Sequence, residues 1–265
     1  MNARRLISRD YAVRAILTGS KTQERIVVDL PHDNPLGQWE PCEMGGPNMR
    51  DARGHTYPVH ASLFHTRTGE GIGCPLGLPG DHLWVAEIWR VGAWHGRAHD
   101  RSPIKHWVAL DYQADGHARR EWLACNNDRL VQQSIEDARR AGRREVRGEF
   151  SWHPGESPCR WRSSSSMPRW ASRIELEITS VRVERLHAIS EADARDEGAA
   201  YHDGHGIGHS GWRHDYGAVH VDARSAYARL WSEQRGPQSW QSNPWVWALT
   251  FRRVDPSTDV GAQGA

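Results

Sequence analysis

Arg173-Ile174-Glu175-Leu176-Glu177-Ile178-Thr179-Ser180-Val181-Arg182-Val183-Glu184-Arg185-Leu186 is the stretch that decides the fold class of this chain. Ile174, Leu176 and Ile178 alternate with polar residues, the period of a strand with one buried face. After Ile178 the phase slips, and Val181 and Val183 carry the alternation on. A β-bulge near Thr179-Ser180 accounts for the slip, and bulges curve a sheet towards closure.

Working outward, Ile189-Ser190-Glu191-Ala192-Asp193 opens a short helix with a capping box, Ser190 facing Asp193, and Glu197-Gly198 reads as its end. A Gly/His-rich loop runs from about 202 to 220. A helix over Ala223 to Gln234 follows, with Ala226, Tyr227, Leu230 and Trp231 on one stripe. The strand Trp245 to Val254 closes the pattern, and 256–265 reads as a disordered tail. Upstream, His82 to Val91 is apolar on both faces, as a central strand is. Glu87 breaks that rule, sharing a face with Leu83, Val85 and Trp89; a carboxylate there is paired or functional. Lys105 to Tyr112 is another strand. Residues near 114–165 look like an insertion carrying a polar helix, Asp128 to Arg140. Residues 31–80 read as loop with short strands over Thr56 to Leu63. At the N-terminal end Ala12, Val13, Ile16 and Leu17 form a helical stripe stopped by Gly19, and a strand follows over Arg25 to Leu30. Strands this close in sequence leave no room for regular parallel crossovers. The expectation is an α+β domain over 1–255, mostly antiparallel β-barrel with short flanking helices.

Composition sets limits. The 265 residues carry 34 basic and 33 acidic side chains, a net charge of +1, which argues against a surface built wholly for nucleic acid. Of the 34 basic residues 32 are arginine; Lys21 and Lys105 are the exceptions. A lysine amine can act as base or nucleophile where arginine cannot. Four cysteines without a Cys-x-x-Cys pair give no zinc-knuckle or redox motif. No stretch reaches membrane-spanning length and the N-terminus lacks an apolar run, so a cytoplasmic monomer with free thiols is expected. His202, His205, His209, His214 and His220 cluster in the Gly-rich loop, yet no helical His-x-x-x-His pair or Cys/His quartet occurs, so neither metal nor cofactor is expected. No Gly-x-Ser-x-Gly elbow is present.

Four segments together resemble the ASCH family of the PUA-like superfamily, in the long form common in phage and prophage genomes. They are Ala15-Ile16-Leu17-Thr18-Gly19-Ser20-Lys21-Thr22-Gln23-Glu24-Arg25; Cys74-Pro75-Leu76-Gly77 through Gly80-Asp81-His82-Leu83-Trp84-Val85-Ala86-Glu87-Ile88-Trp89; Met167-Pro168-Arg169-Trp170-Ala171-Ser172-Arg173; and Asn243-Pro244-Trp245-Val246-Trp247. The resemblance implies a barrel with a cleft related to the RNA-binding PUA domain. It also implies an activity, because a small bacterial member is an amidohydrolase that removes the acetyl group from 4-N-acetylcytidine. That member works with a lysine in Gly-x-Lys-Thr, a threonine three positions later and a glutamate near the end of the short helix. The lysine matches Lys21 and the glutamate matches Glu197, but the threonine position holds Glu24.

Deacylating an exocyclic amide needs an activated nucleophile, a charge for the oxyanion and a proton for the leaving amine. Lys21 suits the oxyanion or the base role. Glu197, at a helix end where the dipole disfavours a second negative charge, suits a proton shuttle. Glu24 suits pairing with Lys21 or orienting a water nucleophile. Glu87 suits a hydrogen bond to the cytosine edge or to Lys21; its alternative is a buried partner for Arg14 or Arg173. Trp84, Trp89 and Trp170 offer faces for a base, with core packing as the alternative. Arg169 and Arg173 suit phosphate or carboxylate, or internal pairing. A modified cytosine nucleoside or base is the expected partner, with RNA as a further one. The competing readings are a non-catalytic module for RNA or modified nucleic acid, its groove extended by the insertion's arginines, and a metal-independent ribonuclease.

Overall fold

A computed structural model describes residues 3–50, 54–95, 106–116, 121–145, 150, 152–204, 210–214 and 217–254. The expected tail at 256–265, Lys105, His205 and His209 lie outside the described residues. In chain order the strands are β1 (Arg4–Ile7), β2 (Gln23–Val27), β3 (Trp39–Arg50), β4 (Thr56–His65), β5 (Gly71–Gly73), β6 (His82–Ala86), β7 (Trp89–His95), β8 (His106–Tyr112), β9 (Leu123–Cys125), β10 (Glu175–Arg185), β11 (Ala200–His202), β12 (Gly211–Arg213) and β13 (Trp245–Val254). The helices are α1 (Asp10–Thr18), α2 (Asp128–Arg140), α3 (Glu191–Asp196), α4 (Ala223–Arg235) and α5 (Pro237–Gln241). The class is α+β. The chain forms two compact units, one of 1–4, 15–83 and 174–265, the other of 5–14 and 84–173. The stretch near 114–165 falls wholly within the second.

The first unit is built on β13, whose Val246, Trp247, Ala248 and Leu249 are all buried. Burial on both faces marks a central strand, and β13 pairs antiparallel with β10 on one side and β2 on the other. The pairing of β10 with β13 shifts register between Ile178 and Ser180, the bulge that the alternation of the sequence predicts. At the far edge of β10, the Ile178 amide donates to the Asp81 carbonyl at 2.9 Å, just before β6 begins. Beyond the sheet, Leu186, Ile189, Ala194, Ala223, Tyr227 and Trp231 form a buried cluster with Val246, which docks α3 and α4. The helix α3 starts where its capping box predicts. The Ser190 hydroxyl accepts from the Asp193 amide at 3.0 Å, and the Asp193 carboxylate accepts from the Ser190 amide at 3.3 Å.

Two sequence expectations need correction. Among the described residues no sheet closes on itself, so the barrel gives way to open sheets; the bulge in β10 bends that strand without closing the sheet, and β2, five residues long, ends the sheet as an edge. The region 31–80 holds more strand than its composition suggests: β3, β4 and β5 form an antiparallel ribbon. Pro41, Gly45, Gly46 and Pro47 hide β3 from a reading by propensity. Its register slips at Met44/Gly46, where Gly45 at φ +105° leaves no room for a side chain: an added Cβ would lie 2.2 Å from the Pro58 carbonyl oxygen.

In the second unit β7 pairs with β8 and β8 with β9. Val91, Val108, Leu110 and Tyr112 pack with Cys125, Leu130, Val131, Cys159 and Met167. The segment read as an insertion thus supplies part of this core, through α2 and its flanks. The long strand expected over 82–91 is interrupted at Glu87-Ile88, between β6 and β7. All four cysteines are free thiols, and burial pushes those of Cys74, Cys125 and Cys159 above their ordinary value. Among the described residues no helix is long and apolar enough to cross a membrane. Because the Ser190 cap satisfies an otherwise orphaned amide, Ser190→Ala is expected to lower stability by about 1 kcal/mol. A shift of the urea midpoint, at unchanged slope, measures it.

Candidate active site

Lys21 owes its position to the way α1 ends. Gly19 adopts φ +78°, and the chain folds back so that the Lys21 amide donates to the Ala15 carbonyl at 3.0 Å. This is the left-handed helix stop that glycine permits. The next residue is gripped from both sides. The Thr22 amide donates to the Asp196 carbonyl at 2.7 Å, and its carbonyl accepts from the Phe251 amide at 2.9 Å. Lys21 itself forms an antiparallel bridge with Glu197, the residue that caps α3. Gly198, at φ +100°, lets the two segments approach: a Cβ there would sit 3.2 Å from the Ala15 Cβ and 3.4 Å from the Lys21 Cβ.

The side chains complete the junction. The Lys21 ammonium lies 2.5 Å from Glu197 Oε2 and 3.0 Å from Glu24 Oε2, and also donates to the Glu197 carbonyl at 3.3 Å. Arg25, alternating with Glu24 along β2, points inward and takes the other oxygen, its Nη1 3.0 Å from Glu197 Oε1. The same guanidinium reaches Glu184 Oε1 through Nη2 at 2.7 Å and Asp193 Oδ2 at 3.5 Å. Lys21 is 3% exposed, Arg25 1% and Glu197 2%. The Glu24 side chain, 27% exposed, is the most exposed of this group, ahead of Glu184 at 17% and Asp193 at 12%.

Burial is the chief cause of a raised Glu197 carboxyl pKa; Glu24 adds to the rise, while Lys21 and Arg25 oppose it. The direction agrees with the argument from the helix end, but burial leads rather than the dipole. Asp193 moves the other way: burial would raise its carboxyl, yet hydrogen bonds from Ser190 and Arg182 hold it below the usual carboxylate range. His214, buried in the same unit, completes the electrostatics. Burial, then the charges of Lys21 and His220, lowers its imidazole to about 3.

The remaining residues named from sequence belong to the second unit. Glu87 and Arg173 hold each other: Nε to Oε1 at 2.8 Å and Nη2 to Oε2 at 2.9 Å, with Glu87 fully buried. Arg173 also grips Asp115 with two bonds of 2.9 Å and lies 4.2 Å from the Tyr112 ring centre. Of the two roles open to Glu87, the internal arginine partner is the one the geometry favours. Trp89 is a core residue, 2% exposed, and Trp84 packs at the edge of the same core. Trp170 is 38% exposed and meets Trp89 edge-on at 6.3 Å. Arg169 is on the surface.

Sequence reasoning missed Arg25, and it weighed His214 only as one of five histidines clustered in the Gly-rich loop. Arg25 carried a usable signal, because Gln23 and Arg25 are polar at the inward positions of a strand, the anomaly that drew attention to Glu87. Nothing in that cluster marks His214 itself, and its burial, at 6% exposure, is a tertiary fact. Among the described residues no group of three or more His, Cys, Asp or Glu is arranged to hold a metal ion. Comparison with family models, with curated proteins and with solved structures finds no match.

Two outcomes are expected. Lys21→Met leaves Glu197 and Glu24 facing one cation fewer, and breaking a buried pair from one side costs about 3–5 kcal/mol. A double-mutant cycle with Glu197→Gln in urea should show strong coupling between the two positions. His214, lowered when folded, binds its proton in the unfolded chain first. Stability therefore falls as pH drops from about 6.5 towards 3, by up to about 1.4 kcal/mol per pH unit from this residue. Melting curves of wild type and His214→Phe across that range should diverge by this slope.

Proposed function

We propose that this chain is an ASCH-type protein of the PUA-like superfamily that hydrolyses the amide of an N-acylated cytosine nucleoside, such as 4-N-acetylcytidine, with water as nucleophile and no cofactor. The observation that carries the reading is the 2.5 Å contact between the Lys21 amine and Glu197 Oε2, two groups 176 residues apart. They sit in the segments that resemble the family's catalytic ones. The bulged strand β10 between β6 and β13, with α3 delivering Glu197, supports the architectural part of the proposal.

Each side chain has a step. Arg25 fixes Glu197 Oε1, leaving Oε2 as the working oxygen. Glu24, at the solvent side, orients a water against the acyl carbon. Glu197 takes a proton from that water as its oxygen bonds to the carbonyl carbon, and the Lys21 ammonium stabilises the oxyanion that forms. The C–N bond then breaks, Glu197 returns the proton to the exocyclic amine, and the carboxylic acid and cytosine nucleoside leave. A carboxyl whose pKa is raised by burial suits this exchange. Glu24 stands where the family has threonine, and it replaces a neutral hydroxyl by a second carboxylate on Lys21.

A binding module that uses Lys21 against phosphate has less support, since Glu24 and Glu197 already hold the amine and set two carboxylates against an incoming anion, whereas the amide of an acylated cytosine is neutral. A metal-independent ribonuclease would use the same two residues on another substrate. Incubation with 4-N-acetylcytidine should release cytidine, and Lys21→Ala and Glu197→Gln should each slow release by about 100-fold or more. Circular dichroism checks that both variants fold. Failure to release cytosine nucleoside from any acylated form ends the amidohydrolase reading, and RNA cleavage lost in the same variants would put the ribonuclease in its place.

A further inference from the structure

The chain is nearly neutral, but its charge is divided between the two units. The second carries 19 basic and 12 acidic residues, a net charge of +7, and the first carries 15 and 21, a net charge of −6. Near-neutrality of the whole therefore leaves room for a polyanion surface on one part. Position sharpens the imbalance. Three acids of the second unit, Glu87, Asp111 and Asp137, are buried, and each is held by an arginine. Among the described residues, the tryptophans more than a third exposed also fall in this unit: Trp122 at 45%, Trp161 at 40% and Trp170 at 38%.

Trp170 forms one wall of an open groove. Arg129 and Gln133, one turn apart on α2, line it with Ser166 and Pro168, and among the described residues no acid does. Asp128, next to Arg129 in the chain, is engaged elsewhere, its Oδ1 2.9 Å from His106 Nε2. Two further arginines flank the rim. Arg5 Nη1 donates to the Ser165 carbonyl at 2.8 Å, one residue before Ser166, and Arg169 precedes Trp170 in the single turn Arg169–Ala171. Arg5, Arg129 and Arg169 are all exposed. Trp170 meets Trp89 at 81°, not stacked, so Trp89 covers at most one of its faces.

We infer that the second unit binds single-stranded nucleic acid along this rim, with an unpaired base stacked on Trp170 and backbone phosphates held by Arg5, Arg129 and Arg169. Each part of the rim selects for that partner. Guanidinium groups grip phosphate oxygens in pairs. An indole face accepts any base, provided that the base is free of a duplex. A polyanion without rings would leave Trp170 unused, and a duplex keeps its base faces stacked inside. The Lys21 amine has Glu24 and Glu197 against it, whereas this groove sets no lining carboxylate against a phosphate. The inference shares no residue with the deacylation site and does not rest on that reading.

The test is fluorescence anisotropy of the full chain with labelled oligouridylate and oligothymidylate, strands without cytosine that deacylation cannot touch. At least one strand should bind; the tighter of the two identifies the source as RNA or DNA, and either result supports the surface. A duplex of the same length and polyphosphate, a chain of charge without rings, should each bind about tenfold more weakly or worse. Three phosphate contacts on a single strand give a slope of about −2 in log affinity against log salt. Trp170→Ala should weaken binding about tenfold, while Trp170→Phe, which keeps a ring, should retain most of it. Arg129→Gln, at an exposed helix position, should weaken binding and make the salt slope shallower by about 0.7. Arg229→Gln removes an exposed arginine of the first unit and should leave binding unchanged. The proposal is overturned if neither strand binds at low salt, if polyphosphate matches the tighter strand, or if Arg229→Gln loses as much as Arg129→Gln. Unchanged affinity in Trp170→Ala overturns it as well. Salt-sensitive self-association in place of strand binding would also overturn it, giving the basic surface to the acidic unit of a second copy.

Discussion

The first unit depends on one buried carboxylate. Taking Glu197 out of water costs several kcal/mol, and such a group is tolerated only when both oxygens are held by well-placed donors. Here Lys21 holds one and Arg25 the other. Because the three side chains come from the end of α1, from β2 and from the end of α3, the requirement to neutralise one charge ties three elements together. Arg25 extends the tie to Glu184 on β10 and to Asp193 in α3. The same arrangement makes chemistry available, since a desolvated carboxyl with a raised pKa beside an ammonium can move a proton.

The second unit solves a similar problem without evident chemistry. Glu87 is fully buried where β6 gives way to β7, and the Arg173 fork satisfies both of its oxygens while a second carboxylate, Asp115, takes the other side of the same guanidinium. Here both oxygens of each carboxylate meet the guanidinium. Arg162 is the contrast: a guanidinium in the same unit whose Nε and Nη2 are buried without a hydrogen-bond partner.

Much of the fold was legible because the signals were local. The capping box at Ser190, the alternation through Ile178, the slip at Thr179-Ser180 and the helix over Asp128 to Arg140 each depend on residues within a few positions of one another. The ribbon of β3 and β4 was not legible, because its prolines and glycines contradict strand propensity and only cross-strand pairing holds it. The barrel was over-read: a bulge shows that a strand bends, whereas closure depends on which edges pair. In the site, Lys21 stood out by rarity and Glu197 by its place at a helix end, while the histidine cluster of the Gly-rich loop gave no sign that His214 is buried.

The sequence by itself determined the periodic elements, their caps and the rarity of Lys21, since these follow from side-chain spacing and composition. Only the tertiary structure decided that Lys21, Arg25 and Glu197 share one buried junction and that Glu87 belongs to Arg173. Desolvation and charge pairing act between groups brought together by packing, and the order of residues along the chain does not record which groups those are.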